Sequence, residues 1–261
     1  MLRGPPERRR NIGNRVTRSK VYRDRVYDQY VHARTVPLVQ PGLDATASRR
    51  PYLVAMIRRH FPTRRDAAIL DLGCGHGTVL HFAQQAGYTN CRGVDRSFEQ
   101  VAEAKRLGIS GVAEGDLAET LSATSDASLD VVLTFDVIEH FRRDELLALI
   151  DDVHRVLRPD GKWVVHTVNG ESPFFGRIRY GDITHEQAFT RTSIGQFLLS
   201  SGFRTISCYE DTPIVHGLKS AARWVLWKVM RGIMRTYLAA ETGSLDPSVI
   251  LTQNFLIVAT K

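Results

Sequence analysis

Long apolar runs are missing from this sequence. Nowhere do the roughly 18 uncharged apolar residues that cross a bilayer stand together, which argues against a helical membrane span. Cysteine is scarce too. Cys74, Cys91 and Cys208 are too few and too widely spaced for a disulfide framework or a zinc knuckle, so a reducing, cytoplasmic setting is expected. No apolar stretch follows the charged start MLRGPPERRR, so a secretory leader is not expected. Internal repeats are absent, and so are low-complexity tracts beyond the arginine-rich start. What remains is ordinary globular material: 261 residues, 43% hydrophobic and 24% charged, enough for the core of one large domain.

The net charge of +7 is unevenly placed. Residues 1–35 hold ten Lys/Arg against Glu7, Asp24 and Asp28, whereas residues 36–261 are balanced. A basic N-terminal arm on a neutral body suits contact with phosphate, anionic lipid or a protein partner, and equally a solvated leader with no partner. The neutral body argues against nucleic acid as the partner, because phosphate binding needs a basic surface.

From residue 50 onward, short apolar strands alternate with helix-length amphipathic stretches. Helices are predicted over 51–61, 77–87, 97–107, 144–157 and 192–201, and strands over 68–72, 91–95, 111–113, 129–135, 162–167, 203–209 and 250–259. Arg158-Pro159-Asp160-Gly161 reads as a turn. Residues 169–191 read as a long loop and about 216–241 as a helical insertion. Such alternation means βαβ units on a parallel sheet covered on both faces.

The segment Asp71-Leu72-Gly73-Cys74-Gly75-His76-Gly77 follows the first strand and opens a helix. Its glycines permit a tight turn and let a ligand approach bare backbone. The GxGxG spacing, with an acid before it, fits a cationic ligand with an amino-acid end better than a pyrophosphate. Asp95 closes the second strand, where a carboxylate can accept from both hydroxyls of a ribose. Gly115-Asp116-Leu117 stands at the third strand end, where an acid could take an exocyclic amine.

ILDLGCGHG, GVD, EGD, LDVVLTFDVIEHF and VLRPDGKWVV occur in order. In this they resemble the motifs of class I S-adenosylmethionine-dependent methyltransferases. The resemblance implies an α/β, Rossmann-like, doubly wound fold with a mostly parallel seven-stranded sheet and an antiparallel last strand. It also implies a methyltransferase domain over 36–261. Carried over by position, Asp71, Gly73 and Gly75 would line the methionine end of S-adenosylmethionine, with Cys74 and Arg96 as further cofactor-binding residues. Asp95 would face the ribose, Asp116 and Leu117 the adenine, and Asp136 the sulfonium.

For the acceptor, an adenine nitrogen would call for an Asn/Asp-Pro-Pro-aromatic motif and cytosine C5 for a Cys after Pro; neither occurs. O-methyl transfer is the remaining reading, and its catalytic base would be His140 or His185. Either histidine could equally serve as a structural hydrogen-bonding residue. Asp136, Glu139 and His140 have the spacing that converges on one helical face. With His185 they offer two carboxylates and two imidazoles, a set suited to Mg²⁺, Mn²⁺ or Zn²⁺. This pattern resembles the ExxEH…H arrangement of ubiquinone-pathway O-methyltransferases and small-RNA 2′-O-methyltransferases, with Asp136 in place of Glu.

Residues 180–190 (YGDITHEQAFT) resemble methyltransferases of polysaccharide and O-antigen biosynthesis, which implies a saccharide, glycan or other small hydroxylated acceptor. Phe174, Phe175 and Tyr180 could stack on it or simply pack the loop. Rival readings are an RNA 2′-O-methyltransferase and a non-catalytic scaffold. Residues 218–238 carry five basic residues and no acid. Lys228, Arg231 and Arg235 share one arc, opposite Val225, Leu226, Val229, Met230 and Ile233. Such a helix could lie with the arm on the inner face of an anionic membrane, or pack on the sheet, or join a homodimer.

Overall fold

The structure is a computed structural model that describes Val26 and residues 43–261. The basic arm expected over residues 1–35 therefore lies outside the described residues apart from Val26, and residues 43–261 belong to one unit, Val39–Lys261.

In chain order the elements are α1 (Leu43–His60), β1 (Ile69–Leu72), α2 (Thr78–Gln85), β2 (Cys91–Asp95), α3 (Phe98–Arg106), β3 (Val112–Glu114), α4 (Leu117–Ser122) and β4 (Leu129–Phe135). A 3-10 turn (Ile138–His140) follows, then α5 (Arg143–Val156), β5 (Leu157–Val168), α6 (Phe175–Arg179), α7 (Arg191–Ser200), β6 (Thr205–Glu210), α8 (Leu218–Thr242) and β7 (Asn254–Thr260). The strand order is β3-β2-β1-β4-β5-β7-β6, with β7 antiparallel to both neighbours and the other pairs parallel. This is the expected Rossmann-like, doubly wound sheet.

The period-2 alternation of the strands splits the core into two layers. Leu70, Leu72, Val132 and Val165 face one way, against Leu121 of α4, Leu146, Ile150 and Val153 of α5, and Leu198 of α7. Ile69, Val131, Leu133 and Val164 face the other way, against Leu53 and Ile57 of α1 and Val79 and Phe82 of α2. Between β1 and β4 the strand order reverses, which opens a crevice at the carboxyl ends of the strands where such sheets bind ligands.

Three local expectations are corrected. Helix α1 starts at Leu43, not at Pro51, which lies inside it; a proline within a helix removes one backbone donor and need not mark the first turn. The Arg158-Pro159-Asp160-Gly161 signal does not end β5's run but bulges out of it. Leu129 pairs with Leu157 and Val131 with Lys162, so the intervening residues of β5 loop out, and Asp160 takes a left-handed φ of 63°. The long loop over 169–191 contains α6 and is tied down at its ends by pairing of Asn169 with Phe189.

Candidate functional site

Strand β1 ends in the glycine loop, whose shape needs glycine. Gly73 has φ 71°, and a Cβ there would come 2.6 Å from Val137 Cγ2. Gly75 has φ 55°, and its N–H donates to Asp95 Oδ2 at 2.7 Å. The other oxygen of Asp95 accepts from Ser97 N–H at 2.8 Å, so the carboxylate at the end of β2 clamps both turns. Each oxygen keeps a lone pair for a further donor such as a ribose hydroxyl. Burial raises the Asp95 pKa despite these two hydrogen bonds.

Asp71 is 1% exposed, and neither carboxylate oxygen has a hydrogen-bond partner among the described residues. Burial, and then the charge of Asp95, push its pKa up to about 7. An unpaired buried carboxylate is costly and is electrostatically complementary to a cation. The orphaned oxygens therefore fit the ammonium end of the cofactor that the sequence implies. The side chain of Cys74 turns inward: a Cβ on Gly93 would lie 2.7 Å from its Sγ, and burial raises the thiol pKa. Arg96 is exposed after β2. Asp116 is exposed after β3 and caps α4, its Oδ1 accepting from the N–H groups of Ala118 (2.8 Å) and Glu119 (3.2 Å) just after Leu117. These residues stand at the carboxyl ends of β1, β2 and β3 along one sheet edge.

Asp136, just past β4, has a left-handed φ of 55°. That turn directs its carboxylate to His166 at the end of β5, with 2.6 Å to Nδ1, and to Arg49 at 3.6 Å. His166 Nε2 lies 3.5 Å from Asp211 Oδ2. Phe135 stacks on the imidazole with ring centroids 4.9 Å apart, and Tyr52 meets it edge-on. Burial opposes a charge on His166, but the two carboxylates outweigh it and hold its pKa up at about 10. Burial opposes ionisation of Asp136 as well, and His166 with Arg49 brings its pKa below the usual carboxylate range.

On the other side of Asp136, the 3-10 turn presents Glu139 and His140, and the long loop brings His185 to them. Ligand atoms of these three residues lie within 4.8 Å of one another, and the two rings meet edge-to-face at 4.7 Å. The loop is anchored here. Backbone N–H groups of Glu186 and Gln187 donate to Glu139 O (2.7 and 3.1 Å), and Gln187 Nε2 donates to Phe141 O. Thr184 Oγ1 donates to Asp182 Oδ1, so it must accept from His140 Nδ1 (2.9 Å), and His185 Nδ1 donates to Ile178 O (3.0 Å). The Nδ1 proton of each ring is thus directed into the loop, to Thr184 Oγ1 from His140 and to Ile178 O from His185. Burial, then His185, lowers His140 to about 4, and burial also lowers His185. Both rings are neutral at pH 7. Burial and the charge of Asp136 raise the carboxyl of Glu139, whose Oε2 accepts from Thr167 Oγ1 at 2.9 Å.

Of the four residues expected to share a metal ion, three converge; Asp136 does not, because its left-handed backbone turns it to His166. The remaining two imidazoles and one carboxylate match the donor set of open three-ligand sites for divalent ions. The sequence pattern does not single out His166, Asp211 or Tyr52. The signal available is His166 itself, the one titratable ring in the buried strand run KWVVHT.

A family profile described as a methyltransferase domain matches residues 46–208. The chain is 33% identical over 110 residues to norajmaline N-methyltransferase of Rauvolfia serpentina, covering 40% of this chain and 37% of that protein. It is 30% identical over 171 residues to a probable S-adenosylmethionine-dependent methyltransferase of Mycolicibacterium smegmatis, covering 65% and 62%. Further matches are named as N- and as O-methyltransferases. The chain spans between 23% and 62% of the length of these curated relatives. A crystal structure of an S-adenosylmethionine-dependent methyltransferase from Archaeoglobus fulgidus superposes with a TM-score of 0.62 at 22% identity, covering 84% of this chain and 98% of that one, which shows a common fold.

Proposed function

The chain belongs to the methyltransferase-domain family, and on that premise we propose that it is an S-adenosylmethionine-dependent O-methyltransferase acting on a small hydroxylated acceptor, a saccharide or glycan foremost. The glycine loop would hold S-adenosylmethionine, which when bound would supply an electrophilic methyl group. Asp71 would pair with its ammonium end, Asp95 would hold the ribose and Asp116 with Leu117 the adenine. The protein must then align an acceptor hydroxyl and remove its proton.

The observation that carries the oxygen-acceptor reading is the neutral pair His140–His185. Two imidazoles held through Nδ1, whose burial favours the neutral form, are proton acceptors in the required state, with Glu139 beside them. The same three residues fit a divalent ion, which would supply Lewis acidity at the acceptor oxygen. Replacing His140 with Ala is expected to lower kcat about 10²- to 10⁴-fold while S-adenosylhomocysteine affinity is kept. Because burial holds His140 at about 4, the acid limb of kcat/KM should lie well below the 6.5 of an ordinary histidine. An acid limb at 6.5 or above, or a fully active variant, removes His140 as base. Activity lost on chelation and regained with Mg²⁺, Mn²⁺ or Zn²⁺ favours the ion-assisted form.

The reading extends to a membrane-bound acceptor through α8. No helix among the described residues is long and apolar enough to cross a membrane. The helix does not present its basic arc outward as a simple wheel suggests. Arg231 turns to the body, 2.6 Å from Glu210, and Arg235 reaches Asp246 O. Leu218, Val225, Leu226, Val229, Ile233 and Tyr237 are each more than half exposed. Twenty-five residues make an apolar strip about 37 Å long, flanked by Lys219 and Lys228. An anionic bilayer surface suits that combination. The full chain should co-sediment with phosphatidylglycerol–phosphatidylcholine vesicles at low salt, and a Val229→Glu, Ile233→Glu double variant should stay in solution. No co-sedimentation, or none lost in the variant, refutes the membrane assignment.

A further inference from the structure

Between α1, the ends of β4 and β5, and the segment leading into α8 lies a cavity of about 400 Å³. Its floor is the stacked pair Phe135–His166, one side chain away from Asp136, the residue placed beside the sulfonium. Tyr52 and Trp227 form aromatic walls, and Arg49, Arg223 and Asp211 supply the charge.

The signs of those groups discriminate between acceptors. Three groups facing the cavity are positive at pH 7: Arg49, Arg223 and the imidazolium of His166. Asp211 is the carboxylate among the lining residues, and it is already turned toward His166 Nε2. Asp136 lies behind the ring and pairs with His166 and Arg49. Arg223 has no carboxylate within ion-pair distance among the described residues. Three cations against two carboxylates leave an excess positive charge, and Arg223 carries it at the wall.

We propose that this cavity is the acceptor subsite and that it selects acceptors bearing an anionic group, a phosphate or carboxylate, which Arg223 and Arg49 bind while Tyr52 and Trp227 flank the acceptor's ring. The inference rests on the O-methyl-transfer reading above. A guanidinium offers paired donors matched to either anion, and a wall of one sign raises the local concentration of the opposite one. An amine acceptor, such as the names of several relatives indicate for those proteins, would meet this excess charge and be repelled.

The test is calorimetric titration of the full chain saturated with S-adenosylhomocysteine. The soluble probes are glucose 1-phosphate, glucuronate, glucose and glucosamine. A polyprenyl phosphate in phosphatidylcholine vesicles is the lipid-borne counterpart. The phosphate or carboxylate probes should bind at least about tenfold more tightly than glucose, with glucosamine weakest. The soluble or the vesicle probe that competes better identifies the source of the anion. Arg223→Gln, at an exposed position, should lower that affinity by about tenfold with S-adenosylhomocysteine binding unchanged. No anion binding, tighter binding of glucosamine, or an indifferent Arg223→Gln overturns the proposal. Failure of S-adenosylhomocysteine to bind at all would instead sink the methyl-transfer reading, so the two failures are separable.

Discussion

Replacing Asp71 with Asn should make the protein more stable and a poorer binder of its cofactor. The carboxyl is 1% exposed, its oxygens have no partner among the described residues, and burial lifts its pKa to about 7. In the unfolded chain an aspartate titrates near 3.9. The folded pKa is the higher one, so the folded state prefers the protonated form. Stability from this group is fully present below about pH 4 and is lost progressively as pH rises to about 7. A shift of this size corresponds to a penalty on the order of 2–4 kcal/mol at pH 8. Asn has no proton to lose, so the variant should melt about 5–10 °C above the parent at pH 8 and at nearly the same temperature at pH 4. Its affinity for S-adenosylhomocysteine should fall about 10- to 100-fold at pH 8, because a charge-assisted contact to the ammonium is gone. The parent's affinity should rise between pH 6 and pH 8 as Asp71 ionises, and the variant's should be flat. Calorimetric scans and titrations at the two pH values check both halves. A variant destabilised at pH 8, or one with undiminished affinity, would show that Asp71 is satisfied by the protein and has no part in the cofactor site.

That such a residue could be singled out from sequence follows from how a parallel sheet is read. Each strand's buried run ends where the chain turns at the carboxyl edge, so an acid at the end of ILDL, CRGVD or VAEGD must stand on that edge whatever the helices do. Asp71, Asp95 and Asp116 were legible for that reason, and so was the glycine loop, whose left-handed residues tolerate little else. Pairwise geometry across distant segments was not legible. The meeting of His166 with Asp211 depends on β7 inserting antiparallel between β5 and β6, which no local period encodes. Helix α8 shows the same limit differently. Its helical wheel separates basic from apolar residues correctly, but it is Glu210, at the end of β6, that draws Arg231 inward and turns the apolar side out. The strand pattern puts Asp136 on the right edge but beside Glu139, His140 and His185, because nothing local says that this aspartate takes the left-handed φ that turns it to His166.

Replacing His166 with Gln should be among the most damaging single changes in the sheet, with an effect whose pH dependence identifies its cause. His166 is 1% exposed and is the cation between Asp136 and Asp211. Gln keeps a donor but removes the charge, leaving two carboxylates facing each other across a ring-sized gap. Removing one partner of a fully buried pair costs roughly 3–5 kcal/mol; here the carboxylates are 39% and 33% exposed, and solvent screening brings the expectation to about 2–4 kcal/mol. The folded pKa of His166 stands at about 10, above the unfolded value near 6.5. Its contribution is therefore complete below about pH 6.5 and lost as pH rises through 10, while the depressed pKa of Asp136 keeps that partner charged down to below pH 4. The stability gap between parent and variant should be widest between about pH 4 and pH 6.5 and should close toward pH 10. In the parent, the His166 ring should show no titration by NMR between pH 5 and pH 8. A ring that titrates near 6.5, or a gap that does not change with pH, would mean that His166 is a neutral packing residue. The outcome also bears on the chemistry. A permanently protonated imidazole has no lone pair for an acceptor proton, so a charged His166 leaves proton removal to the neutral rings of His140 and His185 and serves the cavity as a fixed positive charge.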